Sequence, residues 1–236
     1  MLDIANPTTV RRTVSFSEAV RLGKTSVEGI NAYRADSLDD AADILARGDI
    51  AVLVCPDASA IKLLQPDVVV DAIIAKKNLG TNIHLAPTVI GVGPGFTAGV
   101  DCHAVIETKR GHTLGRAFYE YGARAIPNTG TPGNICGYSS ARVLRAPCDG
   151  VIIPQREIGE LVHAGEIAAM INNCPLFCRI DGMLRGMLAS GINVFAGMKC
   201  GDIDPRGEEA DYLHVSDKSL AIGGGVLEAV LHFANE

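Results

Sequence analysis

Residues 146–171 and 178–203 align with each other without a gap, at a spacing of 32 residues. Seven positions are identical: Asp149/Asp181, Gly150/Gly182, Gly159/Gly191, Val162/Val194, Ala164/Ala196, Gly165/Gly197 and Ile171/Ile203. Three of these pairs are glycine, which marks turns that need positive φ or close backbone approach. Each copy reads as strand, turn at Gly159 or Gly191, strand, turn at Ala-Gly, strand. Neither copy is large enough to bury its own apolar face, so the two must close on one another.

The doubled pattern resembles the biotinyl/lipoyl-carrier fold, a small all-β barrel-sandwich hybrid, over residues 146–203. Carriers of that kind bear their modified lysine in the hairpin between the halves. Here that connection is "NNCPLF" (172–177), and the only lysine of the repeat is Lys199 in the second half. No covalently attached biotin or lipoate is therefore expected. A structural or docking role fits the module, with Cys174 as the one side chain in the connection able to form a covalent bond to a cargo. Cys174 and Cys178 could also meet as thiols or hold a soft atom, or simply be buried as ordinary apolar residues.

The first hundred residues alternate helix and strand signals. Asn6-Pro7 predicts a helix start, with Val10, Val14, Ala19 and Val20 on one face and Gly23 at its end. "TSVEGINAY" reads as a short strand. Ser37 and Asp40 form a capping-box-like start for a helix whose face is Leu38, Ala41, Ala42 and Leu45, stopped by Gly48. "IAVLVC" (50–55), "VVVDAII" (68–74) and "TVIGVG" (88–93) are continuous apolar runs of strand length. Such runs alternating with helices predict a buried parallel sheet.

Possible chemistry concentrates in the glycine- and proline-dense middle. Gly93-Pro-Gly95-Phe-Thr-Ala98 fits G-x-G-x-x-A formally, yet a strand-like run follows where a dinucleotide loop would open a helix. A loop shaped by glycine for another reason is the competing reading. Asp101, His103, Glu107 and His112 are the densest set of acid, base or ligand groups. On a strand, His103 and Glu107 share a face and Cys102 faces away. Such a set can hold a metal, but the spacing matches no standard zinc pattern and no ligands are assigned; hydrogen-bonded structural roles stand beside catalytic ones. Near the C-terminus, Asp217 and Lys218 precede Gly223, Gly224 and Gly225, which run into a helix with Leu227, Val230 and Leu231 as its apolar stripe. This reads either as an anion site at a helix N-terminus or as a closing helix packed through small residues.

A formal charge of −6 argues against general nucleic-acid binding, which the short pairs Arg11-Arg12 and Lys109-Arg110 do not reverse. No run of about 18 apolar residues predicts a membrane span, and the N-terminus lacks the layout of a secretory signal. The seven cysteines are scattered without a C-x-x-C, which fits free thiols and a cytoplasmic setting.

The strings "RRTVSFSEAV", "VEGI", "PDVVVDAIIAKKNLGT", "GVGPGFTAGVDCHAVIETKRGHTLGR", "IPNTGTPG", "DIDPRGEE" and "SDKSLAIGGGVLEAVL" closely resemble the YqeB-type accessory proteins of selenium-dependent molybdenum hydroxylase systems, across nearly the whole chain. The resemblance implies a maturation role: helping to prepare or insert the selenium-containing molybdenum cofactor of a xanthine- or purine-hydroxylase-type enzyme. It implies that enzyme and its maturation factors as partners, and a nucleotide or molybdopterin-type ligand. Gly93, Gly95, Arg110, Asp217, Lys218 and Gly223–Gly225 are the residues expected to hold its phosphate. A non-catalytic adaptor and a nucleotide-dependent enzyme are the alternatives. Family members usually begin with a strand and a loop of the type "GAGDLATG"; this sequence starts beyond it, with Asp3 aligned to the acidic partner at the end of the second strand. The expected fold is thus α/β. An incomplete Rossmann-like parallel sheet and the Gly-rich middle occupy 1–145, the barrel-sandwich hybrid 146–204, and a closing segment and helix 205–236. An exposed sheet edge would favour homo-oligomers.

Overall fold

The computed structural model describes residues 1–234; Asn235 and Glu236, at the end of the expected closing segment, lie outside them. The chain forms two compact units, each assembled from two separate stretches. One joins Met1–Ala58 to Pro132–His214; the other joins Ser59–Thr131 to the chain from Val215 onward. The expected consecutive division at 145 and 204 gives way to this nested one, because long-range packing, not sequence order, sets the boundaries. No helix among the described residues is long and apolar enough to cross a membrane.

The first unit begins with a four-stranded sheet of order β1-β4-β3-β2. Its strands are β1 (Leu2–Asp3), β2 (Lys24–Val27), β3 (Ile30–Ala35) and β4 (Ile50–Val54). β1 and β3 run parallel to β4, and β2 is antiparallel at the edge. "TSVEGINAY" is a hairpin rather than one strand: Glu28 (φ 48°) and Gly29 (φ 84°) turn between β2 and β3 in the left-handed region that tight hairpins require. Helix α1 is only Glu18–Leu22. Asn6-Pro7 opens no α-helix; the following segment makes only a short 3-10 turn (Arg12–Val14) and is tied to distant chain instead: Met187 N–H donates to the Val10 carbonyl, Arg12 Nε to Met187 O, and the Thr13 hydroxyl to Tyr212 O. Helix α2 (Leu38–Ala46) starts as expected, with Ser37 accepting from Asp40 N–H at 3.0 Å. It turns Ala41 and Ile44 inward, leaving Leu45 exposed.

The second unit holds α3 (Ala60–Leu64) and a sheet of order β5-β6-β7-β8. Strands β5 (Val68–Asp71), β6 (Thr88–Val92) and β7 (Ala104–Ile106) are parallel, and β8 (Ala117–Phe118) is antiparallel. The expected single parallel sheet is therefore two four-stranded sheets in different units. Helix α4 (Asp217–Ala234) packs on β6, β7 and β8. Its inward face is Ile222, Gly225, Val226, Ala229, Val230 and Phe233; Leu227 and Leu231, expected inside, are exposed.

The repeat forms the rest of the first unit, as β9 (Val143–Arg145), β10 (Gly150–Pro154), β11 (Leu161–Val162), β12 (Ile167–Ile171), β13 (Cys174–Phe177), β14 (Gly182–Met187), β15 (Asn193–Val194) and β16 (Lys199–Asp204). They make two antiparallel sheets, β13-β12-β10-β15 and β9-β16-β14-β11. Each sheet takes strands from both copies, and the registers repeat: Gly150↔Val194 matches Gly182↔Val162, and Ile152↔Ile171 matches Leu184↔Ile203. The bulges after Ile167 and Lys199 match as well. One continuous core, including Ile152, Ile171, Leu184 and Ile203, is shared by both copies.

This pairing explains the doubled Asp-Gly. Asp149 Oδ1 accepts the N–H of Ala196, and Asp181 Oδ1 accepts the N–H of Ala164, both at 2.7 Å. Each copy's aspartate thus clamps the other copy's Ala-Gly turn. The following glycine is forced: a Cβ on Gly182 (φ 151°) would overlap the Asp204 carbonyl oxygen.

Candidate functional site

Parallel β5, β6 and β7 bring their carboxyl ends, and the loops after them, to one edge of the second unit. In open parallel sheets the crevice outside the carboxyl ends is where ligands bind. Asp71, at the end of β5, is buried; Oδ2 accepts the Thr81 hydroxyl at 2.6 Å and Oδ1 the Ile73 N–H at 3.0 Å, which closes loop 72–81. Gly95 (φ 120°) touches that loop backbone to backbone, since its Cβ would lie 2.7 Å from the Lys77 main chain. Gly93 (φ 86°) gives its N–H to Ile106 O at 2.8 Å, and its Cβ would press on Thr108 at 3.1 Å. Both glycines therefore serve loop packing. No helix follows them, so the dinucleotide-loop reading does not hold at this position.

Glu107, just past β7, is fully buried. Oε1 accepts the N–H groups of Thr108 and Lys109 at 2.7 Å each, and Oε2 accepts that of Ile126 at 2.8 Å. Such charge-assisted bonds occupy both oxygens and pin two loops, a structural role rather than a general base's. The pinned loop presents Lys109, Arg110 and His112 at the surface. Arg110 makes a two-pronged contact with Asp217 at 2.6 and 2.7 Å, joining the loop to the first residue of α4. Two of the groups expected to hold a phosphate thus do meet, next to Lys218. Gly223, Gly224 and Gly225 do not join them: α4 begins at Asp217, so these glycines lie inside the helix. Gly225 is there for contact, because a Cβ would overlap the Gly115 carbonyl oxygen.

Asp101 and His103 lie at the opposite end of the sheet. Asp101 Oδ2 accepts Thr97 N–H at 2.8 Å and shapes a turn. His103 and Glu107 share a face by parity, but they bracket the three residues of β7 from opposite ends and form no common site. His103 Nδ1 accepts the Val89 N–H at 2.9 Å, which places any ring proton on Nε2. Its ring packs edge-on against Phe233. It lines an open groove of about 680 Å³ with His84, Lys62 and Gln65 among apolar walls. Burial pushes the Cys102 thiol up to about 11, as fits an inert core cysteine. No group of three His, Cys, Asp or Glu able to hold a metal occurs among the described residues. The sequence reading missed Lys76 and Lys77. Their signal was positional: paired lysines five and six residues beyond Asp71, in the loop leaving a parallel strand.

Fold and loops together define a mixed α/β protein with a basic loop cluster at the carboxyl edge of a parallel sheet. No family model matches the chain. It is 50% identical over 231 residues to the uncharacterized protein YqeB of Escherichia coli (strain K12). That match covers 98% of this chain and 42% of the relative, so the chain spans less than half of the curated relative's length. Among solved structures, a succinylglutamatedesuccinylase/aspartoacylase from Rhodobacter sphaeroides is similar at 26% identity over 27% of this chain and 22% of that one, with a TM-score of 0.25. The ectoine utilization protein EutE (DoeB) from Ruegeria pomeroyi is similar at 11% identity over 35% of this chain and 27% of that one, with a TM-score of 0.26. Likenesses of this extent assign neither fold nor chemistry.

Proposed function

We propose that the chain is an accessory factor in the maturation of a selenium-dependent molybdenum hydroxylase, acting on the cofactor rather than on purines. The carrying observation is the 50% identity to YqeB over nearly all of this chain, which agrees with the family resemblance of its longest motifs. The site supports a ligand with phosphate groups, such as a nucleotide or a molybdopterin-type molecule. Lys76, Lys77 and Lys109 are exposed on loops at one sheet edge. A phosphate can compete with Asp217 for the planar fork of Arg110. The test is deletion of the gene and measurement of selenium and molybdenum in the purified hydroxylase. Loss of selenium with molybdenum retained is the expected result; unchanged selenium and activity refute the reading.

A second reading, an adaptor that docks the hydroxylase or another maturation factor through the repeat, is favoured by one observation. In this reading the repeat is a carrier-like barrel-sandwich hybrid without its lysine. Sheet β9-β16-β14-β11 meets the chain's own segment 10–13 at Gly186 and Met187, whereas sheet β13-β12-β10-β15 exposes Val151, Ile153, Ile167, Phe177 and the neighbouring Phe195. Contiguous exposed apolar residues of this kind mark interaction surfaces. Phe177→Glu with Phe195→Glu should abolish co-purification with the hydroxylase while leaving the circular dichroism spectrum unchanged; retained co-purification refutes it.

A further inference from the structure

The turn that opens the repeat and the hairpin between its copies meet at two thiols. Cys148 lies in the turn before β10, and Cys174 is the first residue of β13. Cys174 is the neighbour that most raises the pKa of the Cys148 thiol. Two geometric observations bring them to the same end of the hairpin. Cys148 Sγ lies 3.5 Å from the Ile171 carbonyl oxygen, and Ile171 is the register partner of Cys174 across the hairpin. Asn172, at the hairpin tip, holds the strand beginning after Cys148: its Oδ1 accepts Val151 N–H at 3.2 Å, and its N–H donates to Val151 O at 3.3 Å. Both cysteines are half-buried, so reagents reach them, whereas Cys102, Cys178 and Cys200 are buried. The sequence pointed to Cys174 with Cys178; the fold pairs Cys174 with Cys148 instead.

We propose that Cys148 and Cys174 are an oxidisable dithiol that closes to an intrachain disulfide by exchange with a low-molecular-weight disulfide. The thiolate of Cys174 attacks one sulfur of the small disulfide, whose S–S bond breaks. One thiolate leaves and takes up a proton, and Cys174 carries the other half as a mixed disulfide. Cys148 then loses its proton and attacks the Cys174 sulfur, expelling the second small thiol. Two protein thiols are oxidised by two electrons, and one disulfide is reduced to two thiols. The Cys148 thiol holds its proton firmly, pushed up to about 11 by its hydrogen bond with Cys174 first and by desolvation second. That disfavours it as the first attacker; once Cys174 is held in the mixed disulfide, its thiol no longer retains the Cys148 proton.

The test treats the whole chain with excess oxidised glutathione, blocks remaining thiols with iodoacetamide, and maps peptides by mass spectrometry. One peptide pair joined through Cys148 and Cys174 is expected, with loss of both free thiols together and no glutathione retained on either. Cys136, which is exposed, should instead carry a mixed disulfide. In Cys148→Ser, Cys174 should hold glutathione that it cannot release internally. Separate glutathione adducts on Cys148 and Cys174 in the unmutated chain, both thiols left free, or cross-links to other cysteines would each overturn the proposal.

Discussion

Replacing Asp149 and Asp181 by alanine tests whether the doubled Asp-Gly is a pair of reciprocal clamps. Each change removes one bond of 2.7 Å from a carboxylate to a turn N–H of the other copy. A hydrogen bond to a charged group contributes ~1.5–3 kcal/mol when sheltered. Both aspartates and both donor turns are exposed, so water can replace the lost partner, and about 1 kcal/mol per clamp is the reasonable figure. Asp181 also has His163 at 3.7 Å, but that pair is exposed and adds little. The two clamps sit at equivalent positions and share no partner, so the double variant should lose roughly the sum, ~2 kcal/mol. Asn at either position keeps an acceptor oxygen and should lose less than half as much as Ala. Urea unfolding followed by far-ultraviolet circular dichroism reads all of these. Equal losses for Asn and Ala would show that charge, not the clamp, matters. Ala variants within a few tenths of the parent would remove the clamps from the account.

Other outcomes follow from the same geometry. Gly225→Val should destabilise the second unit by more than ~3 kcal/mol, because its Cβ meets the Gly115 carbonyl, whereas Gly223→Ala and Gly224→Ala, at open helical positions, should stabilise by ~0.5–1 kcal/mol; thermal unfolding compares them. Asp204 is desolvated, which alone would raise its pKa, but hydrogen bonds and charge from Arg206 and charge from Arg185 outweigh burial and hold it below the ordinary carboxylate range. Its contribution is present above that ordinary range and is lost as pH falls through the depressed value. Asp204→Asn should therefore be less stable than the parent at neutral pH and converge on it in acid, as measured by urea midpoints across pH.

The repeat was legible because its constraints are local: glycines at positive φ and strand-length apolar runs recur at a fixed interval. The cap at Ser37 and the parallel strands were legible for the same reason. The nested units were not, because the partners that define them are distant in sequence, as with Val10 and Met187. At α4 the glycine triplet drew the helix start too late. The true signal was Ser216, whose hydroxyl accepts the Ser219 N–H one turn into the helix. Candidate-site residues were found by type but not by role. Arg110 and Asp217 were picked out in separate segments that meet only in three dimensions, and the partners of Glu107 are backbone N–H groups, one of them nineteen residues away at Ile126, which no side-chain pattern encodes.

Glu107 is the residue on which the structural and catalytic readings of the middle segment part. The amides of Thr108 and Lys109 form a small nest of the sort that binds anions, and the Glu107 carboxylate already fills it. Any phosphate at this edge must then be held by the side chains of Lys76, Lys77, Lys109 and Arg110, and its affinity should fall with salt as exposed charge pairs do. Glu107→Gln separates the two roles. An amide offers one acceptor oxygen where the carboxylate offers two, so its NH₂ must face either the Ile126 N–H or the nest, donor against donor, around a side chain that is itself fully buried. Leaving such a buried donor unpaired costs ~1–3 kcal/mol, and loss of the charge-assisted bonds adds to it. The variant should unfold ~2–4 kcal/mol more easily, with loops 107–116 and 126 exchanging amide hydrogens faster than the rest of the unit. A Glu107→Gln chain as stable as the parent but inactive in the proposed maturation assay would point to a proton-carrying carboxylate, and the structural reading would fall.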